Sequence, residues 1–136
     1  MRAWWSPGPR WEGFQGIVHG GVVSTVLDEA MSKAVSATGC EALTAELTIR
    51  FRQPVPSSGR FRIEGWIVKR SKRLIETEAV VESADGREHA HAWARFLALS
   101  ASVQGPLVRV VAAPDDGEHF EVDPYEAPEL PGQERS

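Results

Sequence analysis

The pattern of apolar and polar positions changes from a helical period to a strand period within the first fifty residues. Over residues 22–38, apolar side chains recur at spacings of three and four and gather on one side of a helical wheel. They are Val22, Val23, Val26, Leu27, Ala30, Met31, Ala34 and Val35. Glycine adopts the left-handed backbone that often ends a helix, so Gly39 is the expected cap. The pattern predicts a helix over residues 22–38.

After Gly39 the period becomes two. Residues 44–51 place Ala45, Leu47, Ile49 and Phe51 on one side of a strand, which we expect to be half-buried and to stop near Pro54. Three further strand-like runs cover about residues 60–70, 73–84 and 87–99. Short connections at Ser71-Lys72 and Asp85-Gly86 favour hairpins, with Asp-Gly the stronger turn signal. The prediction is an α+β domain with one helix followed by an antiparallel meander.

Small side chains on the last run indicate where the helix packs. Ala90, Ala92 and Ala94 share one strand face with Phe96, so a helix can approach the sheet closely there. The simplest architecture is one long helix wrapped by the sheet. His89 and His91 are expected to point the same way, but no accompanying acid or cysteine pattern supports a metal site.

Length and charge divide the chain into a body and a tail. The 136 residues, 42% hydrophobic, suit a single domain, which we place at residues 1–99 with an extension at 100–136. From Asp115 onward, eight acidic residues face Arg135 alone, so this end carries a charge of -7 and the remainder +3. We expect disorder near the C-terminus, although the stretch 107–111 could add an edge strand.

Composition also excludes several classes of function. A body charge of +3 is too weak to argue for nucleic-acid binding. No segment has the length and apolarity of a signal peptide or a membrane span, so a cytoplasmic location is expected. Cys40 is the single cysteine, which excludes an internal disulfide and makes a zinc site unexpected. We expect no cofactor and no metal.

The run His19-Gly20-Gly21 precedes the helical pattern and carries the main chemical signal. Glycines lack a Cβ, so the backbone can come close to a ligand. Amides at the start of a helix are unpaired donors at the positive end of its dipole. That arrangement suits an oxygen that gains negative charge during a reaction, and Asp28-Glu29 adds carboxylates further along.

Three segments together resemble the hotdog-fold acyl-CoA thioesterases of the phenylacetate-degradation (PaaI) type. They are GIVHGGVVSTVLDEAM at residues 16–31, TAELTIRF at 44–51 followed by Pro54-Val55-Pro56, and the hairpin at 69–74. The resemblance covers roughly residues 13–97 in the right order. It implies a hotdog fold, in which an antiparallel sheet wraps one helix, and hydrolysis of an acyl-CoA to a carboxylic acid and free CoA.

The resemblance also implies roles for individual residues. The family's oxyanion amide falls on Gly20 and its catalytic carboxylate on Asp28, acting as general base or as nucleophile. His19 would hold the loop, with Gly21 beside the substrate, and Thr44 matches a hydroxyl that orients water in some relatives. Some relatives carry an amide side chain six residues before the histidine. Gly13 stands at that position here, with Gln15 nearby.

Two features of the pattern bear on these roles. Glu29 has Lys33 four residues later, the favourable orientation for an exposed ion pair, so Asp28 is the better catalytic candidate. Strand alternation puts Thr44 opposite to Leu47, away from the inferred helix-facing side. The basic hairpin carries Arg70, Lys72 and Arg73. These side chains either form a solvated turn or contact the phosphates of CoA, and the sequence favours neither interpretation.

Gly20 and Asp28 are eight residues apart, which on one helix is about 12 Å along the axis. One chain cannot place both at one thioester carbon, so the mechanism requires a homodimer with shared sites, and a homotetramer is possible. Three classes remain: a thioesterase, a protein that binds acyl-CoA without turnover, and a hydratase. The last is weakest, because relatives of that type carry a histidine five residues after the aspartate, where this chain has Lys33.

Overall fold

A computed structural model describes residues 1–99 and 122–123 of the chain. One helix, α1, spans Gly20–Ser36, and a single-turn 3₁₀ helix spans Pro9–Trp11. The strands are β1 (Arg2–Trp5), β2 (Glu12–Phe14), β3 (Ile17–Val18), β4 (Ala42–Phe51), β5 (Phe61–Arg70), β6 (Leu74–Ser83), β7 (Glu88–Ala98) and β8 (Val122–Asp123). The predicted extension at 100–136 and its possible edge strand at 107–111 lie outside the described residues, apart from β8. No helix in the described part of the chain is long and apolar enough to span a bilayer.

The main sheet has the order β4-β7-β6-β5-β1-β8, and its neighbouring strands are antiparallel. The predicted meander is confirmed for β5, β6 and β7. It is wrong for β4, which pairs with β7 at the sheet edge and not with the strand that follows it. The strand pattern shows that β4 exists, but the partner of a strand depends on long-range pairing that alternation does not encode. β2 and β3 form a separate small hairpin that leads into α1.

Both hairpins between the long strands are confirmed. At the first turn, the Ser71 amide donates to the Leu74 carbonyl at 2.8 Å. At the second, Gly86 has φ +84°, a left-handed backbone that glycine adopts without strain. Asp85 accepts hydrogen bonds from the Ser83 hydroxyl and the Arg87 amide, and these bonds lower the pKa of its carboxyl group.

The helix begins two residues before the predicted start and ends two residues before the predicted end. Glycine has poor helix propensity, which hid Gly20 and Gly21 from the pattern. They join α1 because His19 caps it. At the other end, Ala37 is the C-terminal cap and Gly39 follows with φ +77°, so the expected left-handed glycine is present but lies just beyond the helix.

The apolar side of α1 packs on the concave face of the sheet. Six helix residues are buried there: Val23, Leu27, Ala30, Met31, Ala34 and Val35. The alanines of β7 are buried on this face as predicted, together with Phe96. Trp5 of β1, a strand that the sequence pattern did not indicate, is also in this core.

The backbone of α1 lies directly against the sheet at Gly65 of β5. A Cβ at this position would lie 2.6 Å from the carbonyl oxygen of Ala30 and 3.0 Å from the amide nitrogen of Met31. Both neighbours are backbone atoms inside a helix, so they cannot turn aside as a side chain can. Glycine at this position therefore sets the distance between α1 and the centre of the sheet.

Gly65→Ala is expected to destabilise the fold by about 1–3 kcal/mol, because the added methyl group pushes α1 away from the sheet. Urea or thermal unfolding followed by circular dichroism measures the change. Truncation of the exposed Val68 on the same strand is the control, and we expect it to change stability by no more than about 0.5 kcal/mol. An alanine variant as stable as the wild type would contradict the close packing.

Strand β4 is more exposed than the predicted half-buried strand. Leu47 and Phe51 are 37% and 52% accessible, although their cross-strand partners, Ala94 and Ala90, are buried on the helix-facing side. As the edge strand of the sheet, β4 extends past the area that α1 covers. No other element among residues 1–99 therefore covers its apolar side completely.

Candidate active site

His19 organises the start of α1. Its Nδ1 accepts a hydrogen bond from the Gly21 amide at 2.9 Å, and its own amide donates to the carbonyl of Trp11 at 2.8 Å. A ring nitrogen that accepts a hydrogen bond carries no proton, so in this contact the imidazole proton is on Nε2. His19 is thus the N-terminal cap of α1 and is tied to Trp11 in the segment that precedes β2.

The capping leaves one helix amide without a partner. Gly21 donates to His19 Nδ1, while Val22 and Val23 donate to the His19 carbonyl at 2.9 and 3.2 Å. Of the four amides that open the helix, only that of Gly20 has no hydrogen bond within the described part of the chain. An unpaired donor at the positive end of a helix dipole is suited to a developing oxyanion.

Gly21 and Gly13 both lie against the His19 ring. A Cβ on Gly21 would be 3.0 Å from Nδ1, and one on Gly13 would be 3.2 Å from Cδ2. Gly21 was expected beside the substrate; its amide donates to His19 Nδ1 and is therefore not available to a substrate. An amide side chain at position 13, as in some relatives, would fit only if this ring moved. Gln15 is exposed in the loop between β2 and β3.

Asp28 lies on the third turn of the same helix, and Thr44 contacts it from β4. The Thr44 hydroxyl donates to Asp28 Oδ1 at 2.8 Å. Within the described residues the other carboxylate oxygen, Oδ2, has no hydrogen bond. Thr44 thus holds Oδ1 in place, while Oδ2 has no partner among the described residues.

The alternation argument for Thr44 is wrong, because a β-bulge interrupts β4. Thr44 pairs with Phe96 and Glu46 with Arg95, so Ala45 is an extra residue in the strand. Such an insertion shifts every later side chain by one position relative to simple alternation. Thr44 and Leu47 therefore share the helix-facing side.

The two adjacent carboxylates lie in different surroundings. Glu29 lies 3.4 Å from Lys33, and both side chains are more than half exposed. Asp28 is half-buried and faces β4. Glu29 therefore belongs to a solvated ion pair on the outer side of the helix.

The basic hairpin between β5 and β6 is exposed. The side chains of Lys72 and Arg73 are open to solvent, and Arg70 donates from Nη1 to the Thr38 hydroxyl at 3.0 Å. Thr38 follows the C-terminal end of α1, so the hairpin lies at the opposite end of the helix from Gly20. Within one chain, the hairpin and the free amide are therefore far apart.

His89 and His91 do not point the same way, as the pattern had suggested. A bulge at the start of β7 buries His89, whose Nδ1 lies 2.7 Å from the Pro54 carbonyl oxygen. His91 lies on the outer face, stacked on Trp93 with its Nε2 3.0 Å from Glu78. In the described residues no group of three or more potential ligand side chains could hold a metal ion.

A groove of about 300 Å³ opens on that outer face and is lined by Glu46, Thr48, Val68, Glu76, Glu78, Trp93 and Arg95, among others. None of the candidate site residues contributes to it. Arg95 pairs with both Glu46 and Glu76 across the groove, so one guanidinium faces two carboxylates there. The groove is therefore separate from the site at α1.

A family model described as the thioesterase superfamily matches residues 15–90, which is more than half of the chain. The chain belongs to the thioesterase superfamily. The matched range contains the capped helix start, Asp28, Thr44 and the basic hairpin. The PaaI type within the superfamily stays a prediction from the motifs.

Individual superfamily members are similar to this chain. An acyl-coenzyme A thioesterase, THEM4 of Bos taurus, is 35% identical over 78 residues, covering 57% of this chain and 32% of THEM4. The Xenopus laevis THEM4 is 30% identical over 94 residues, covering 68% of this chain and 42% of that protein. The chain thus spans less than half the length of these curated relatives.

Solved structures that are similar to this chain confirm the expected hotdog fold. The BH2602 protein of Bacillus halodurans, solved with CoA, has a TM-score of 0.66 at 30% identity, covering 72% of this chain and 66% of that chain. The smu.793 protein of Streptococcus mutans, solved bound to acetyl CoA, has a TM-score of 0.71 at 18% identity, covering 74% and 81% of the two chains. The second likeness concerns the fold alone.

Proposed function

We propose that this protein hydrolyses an acyl-CoA thioester to the free acid and CoA, in active sites shared between two copies of the chain. The observation that carries the proposal is a pair of groups on one helix that have no hydrogen-bond partner among the described residues. They are the Gly20 amide and Asp28 Oδ2. Superfamily membership supports the proposal, as do relatives named acyl-CoA thioesterases and a 30% identical structure solved with CoA.

Two copies are needed because of distance. Reacting groups must approach to about 3–3.5 Å, whereas eight residues of helix separate Gly20 from Asp28 by about 12 Å. A two-fold axis that sets two α1 helices antiparallel would bring Gly20 of one chain beside the partner subunit's Asp28. A homodimer then contains two equivalent sites.

Strand β4 is the surface that we assign to this dimer. It is the edge of the sheet, so backbone donors and acceptors on its outer side are open to a further strand. Thr44 contacts Asp28 near one end of β4, and Phe51 lies beside Gly20 at the other. Antiparallel pairing of two β4 strands about an axis near Leu47 would set these two ends against each other. The exposed Leu47 side chain would be covered in the same contact.

The proposed chemistry begins with the Gly20 amide, which would polarise the thioester carbonyl and stabilise its oxyanion. As a general base, Asp28 would take a proton from water while the hydroxide adds to the carbonyl carbon. Collapse of the tetrahedral intermediate would expel the CoA thiolate, which takes up the proton. As a nucleophile, the Asp28 carboxylate would add to the carbonyl carbon and displace the CoA thiolate, leaving an acyl anhydride. Water would then hydrolyse the anhydride to the free acid and the Asp28 carboxylate, and the thiolate would take up the proton released. Thr44 would hold Oδ1 and leave Oδ2 for either route.

The basic hairpin would hold the other end of the substrate. CoA carries several phosphate charges, and exposed guanidinium and ammonium groups bind phosphates without a deep pocket. Antiparallel helices would place the hairpin of one chain on the partner's side of a shared site, beyond Asp28. Arg70, Lys72 and Arg73 would then contact the phosphates while the thioester lies between the chains.

A heterodimer tests the shared site directly. One chain carries Gly20→Pro and the other Asp28→Asn, each with its own affinity tag, and co-expressed heterodimers are purified through both tags. Shared sites leave one of the two sites intact, so we expect about half the wild-type rate of thiol release per dimer. Either homodimer alone should be nearly inactive.

The contrary outcome is equally clear. If each site lay within one chain, the heterodimer would contain no intact site and would be as inactive as the two homodimers. A panel of acyl-CoAs with different acyl groups provides the substrates, and wild-type protein that releases thiol from none of them would refute the proposed activity.

A further inference from the structure

Phe51 stands out as an exposed aromatic side chain next to the free amide. Its ring atoms Cζ and Cε1 lie 3.6 and 3.7 Å from the position that a Cβ on Gly20 would take. The side chain is nevertheless 52% accessible, so it is not a core residue of the isolated chain. A large apolar ring left open beside a polar donor indicates a surface that contacts a ligand or a partner.

The backbone around Phe51 is held firmly. Phe51 pairs with Ala90 of β7, and the next two amides, of Arg52 and Gln53, donate to the His89 carbonyl at 2.8 and 3.1 Å. His89 is itself buried and contacts the Pro54 carbonyl. The ring is thus positioned by a rigid strand end, which is the support that a selective contact needs.

We infer that Phe51 is a specificity-determining residue that forms a wall for the acyl group of the substrate. The inference rests on the proposed function, because it takes the Gly20 amide as the carbonyl-binding donor. When the thioester carbonyl oxygen accepts a hydrogen bond from that amide, the carbon and sulfur atoms bonded to the carbonyl carbon would lie close to the Phe51 ring. The selectivity expected is for acyl groups with apolar carbons beyond the acetyl methyl.

The chemistry of the two arms of the thioester assigns the acyl side to the ring. The CoA arm carries amides and phosphates, which need hydrogen-bond partners or cations that a phenyl ring does not supply. The acyl arm loses water-exposed apolar area when it contacts the ring, and that burial is favourable. Phe51 therefore discriminates by the size of the apolar acyl body.

The test measures binding with non-hydrolysable thioethers, S-hexyl-CoA and S-ethyl-CoA, by calorimetry. Phe51→Ala is expected to weaken binding of S-hexyl-CoA about tenfold and of S-ethyl-CoA less than about twofold. Phe51→Leu should fall between alanine and the wild type. Leu97→Ala, which truncates an exposed apolar side chain of β7, should change neither dissociation constant.

The relative effect of Phe51→Ala on the two thioethers separates this inference from its alternatives. Light scattering reports the oligomeric state, and equal weakening of both thioethers, with or without loss of the dimer, would overturn the role in acyl selection. Tighter binding of S-hexyl-CoA by Phe51→Ala would overturn it as well, since the ring would then be an obstacle.

Turnover is measured separately with hexanoyl-CoA and acetyl-CoA. A wild-type protein with selective thioether binding but no turnover would support the wall and refute the proposed hydrolase. Turnover by the wild type, combined with equal effects of the Phe51 variants on binding of the two thioethers, would support the hydrolase and refute the wall. A wild-type protein that binds neither thioether would refute both.

Discussion

Asp28→Asn is expected to lower kcat for acyl-CoA hydrolysis by roughly two to four orders of magnitude. Asparagine keeps the shape of the side chain, and its Oδ1 can still accept the Thr44 hydrogen bond seen at 2.8 Å. It has no negative charge, so it is neither a base for water nor a nucleophile. Thiol release at saturating substrate measures the loss.

Glu29→Gln is the matched control for this variant. It makes the same chemical change one residue along the helix, on a side chain that pairs only with the exposed Lys33 among the described residues. We expect nearly wild-type turnover. Binding of S-hexyl-CoA should persist in Asp28→Asn, and its loss together with turnover would indicate a binding role instead. Equal turnover of Asp28→Asn and the wild type would exclude Asp28 from the chemistry.

Gly20→Pro is expected to lower kcat by roughly 100- to 1,000-fold, because it deletes one oxyanion donor. Gly20 is the first residue of α1, the position where a helix tolerates proline best, since its amide has no partner within the helix. His19 has φ -58° and ψ 134°, which is the backbone favoured before proline. The substitution therefore removes the N–H with little cost to the fold.

Gly20→Ala controls for the added carbon atoms. Its Cβ would contact the Phe51 ring at 3.6 Å, an ordinary van der Waals distance, and the amide remains. We expect alanine to keep turnover within about tenfold of the wild type, well above proline. Equal losses in the two variants would show that space at Gly20, and not its N–H, matters for turnover. Circular dichroism confirms that both variants retain the fold.

Local patterns indicated the elements of this fold with good accuracy. The three runs after residue 60 correspond to β5, β6 and β7 within a residue or two at each end, because apolar alternation and Asp-Gly turns act over short stretches. The ends of α1 were less accurate. Its start depends on the capping contact between His19 and Gly21, which offsets the low helix propensity of two glycines.

Bulges account for both mistakes about side-chain direction. Thr44 was placed on the outer side and His91 on the side of His89, and in each case an extra residue in the strand reverses the assignment. Bulges arise from the fit of two strands, so alternation along one strand does not reveal them. The family resemblance matched Thr44 to a hydroxyl that orients water, whereas simple alternation placed it on the outer side. That conflict could have indicated a bulge in the strand.

The chemical groups of the candidate site follow from residue types and their order along the chain. His19-Gly20-Gly21 ahead of an amphipathic helix predicts an anion-binding amide, and the Glu29-Lys33 spacing favours Asp28 as the candidate for the reactive carboxylate. Helix geometry separates Gly20 from Asp28 and, taken with the roles that the family resemblance implies for them, predicts a shared site. These conclusions depend on spacing within one helix, where each residue advances by a constant 1.5 Å.

The contacts between elements depend on folding of the whole chain. The placement of β4 beside β7, the hydrogen bond from Thr44 to Asp28 and the position of Phe51 beside Gly20 join residues 16 or more positions apart. Such contacts depend on how the strands pair and where a bulge falls, which short-range patterns leave open. The approach of α1 to Gly65 is of the same kind, because the need for glycine there appears only when the helix backbone lies against the sheet.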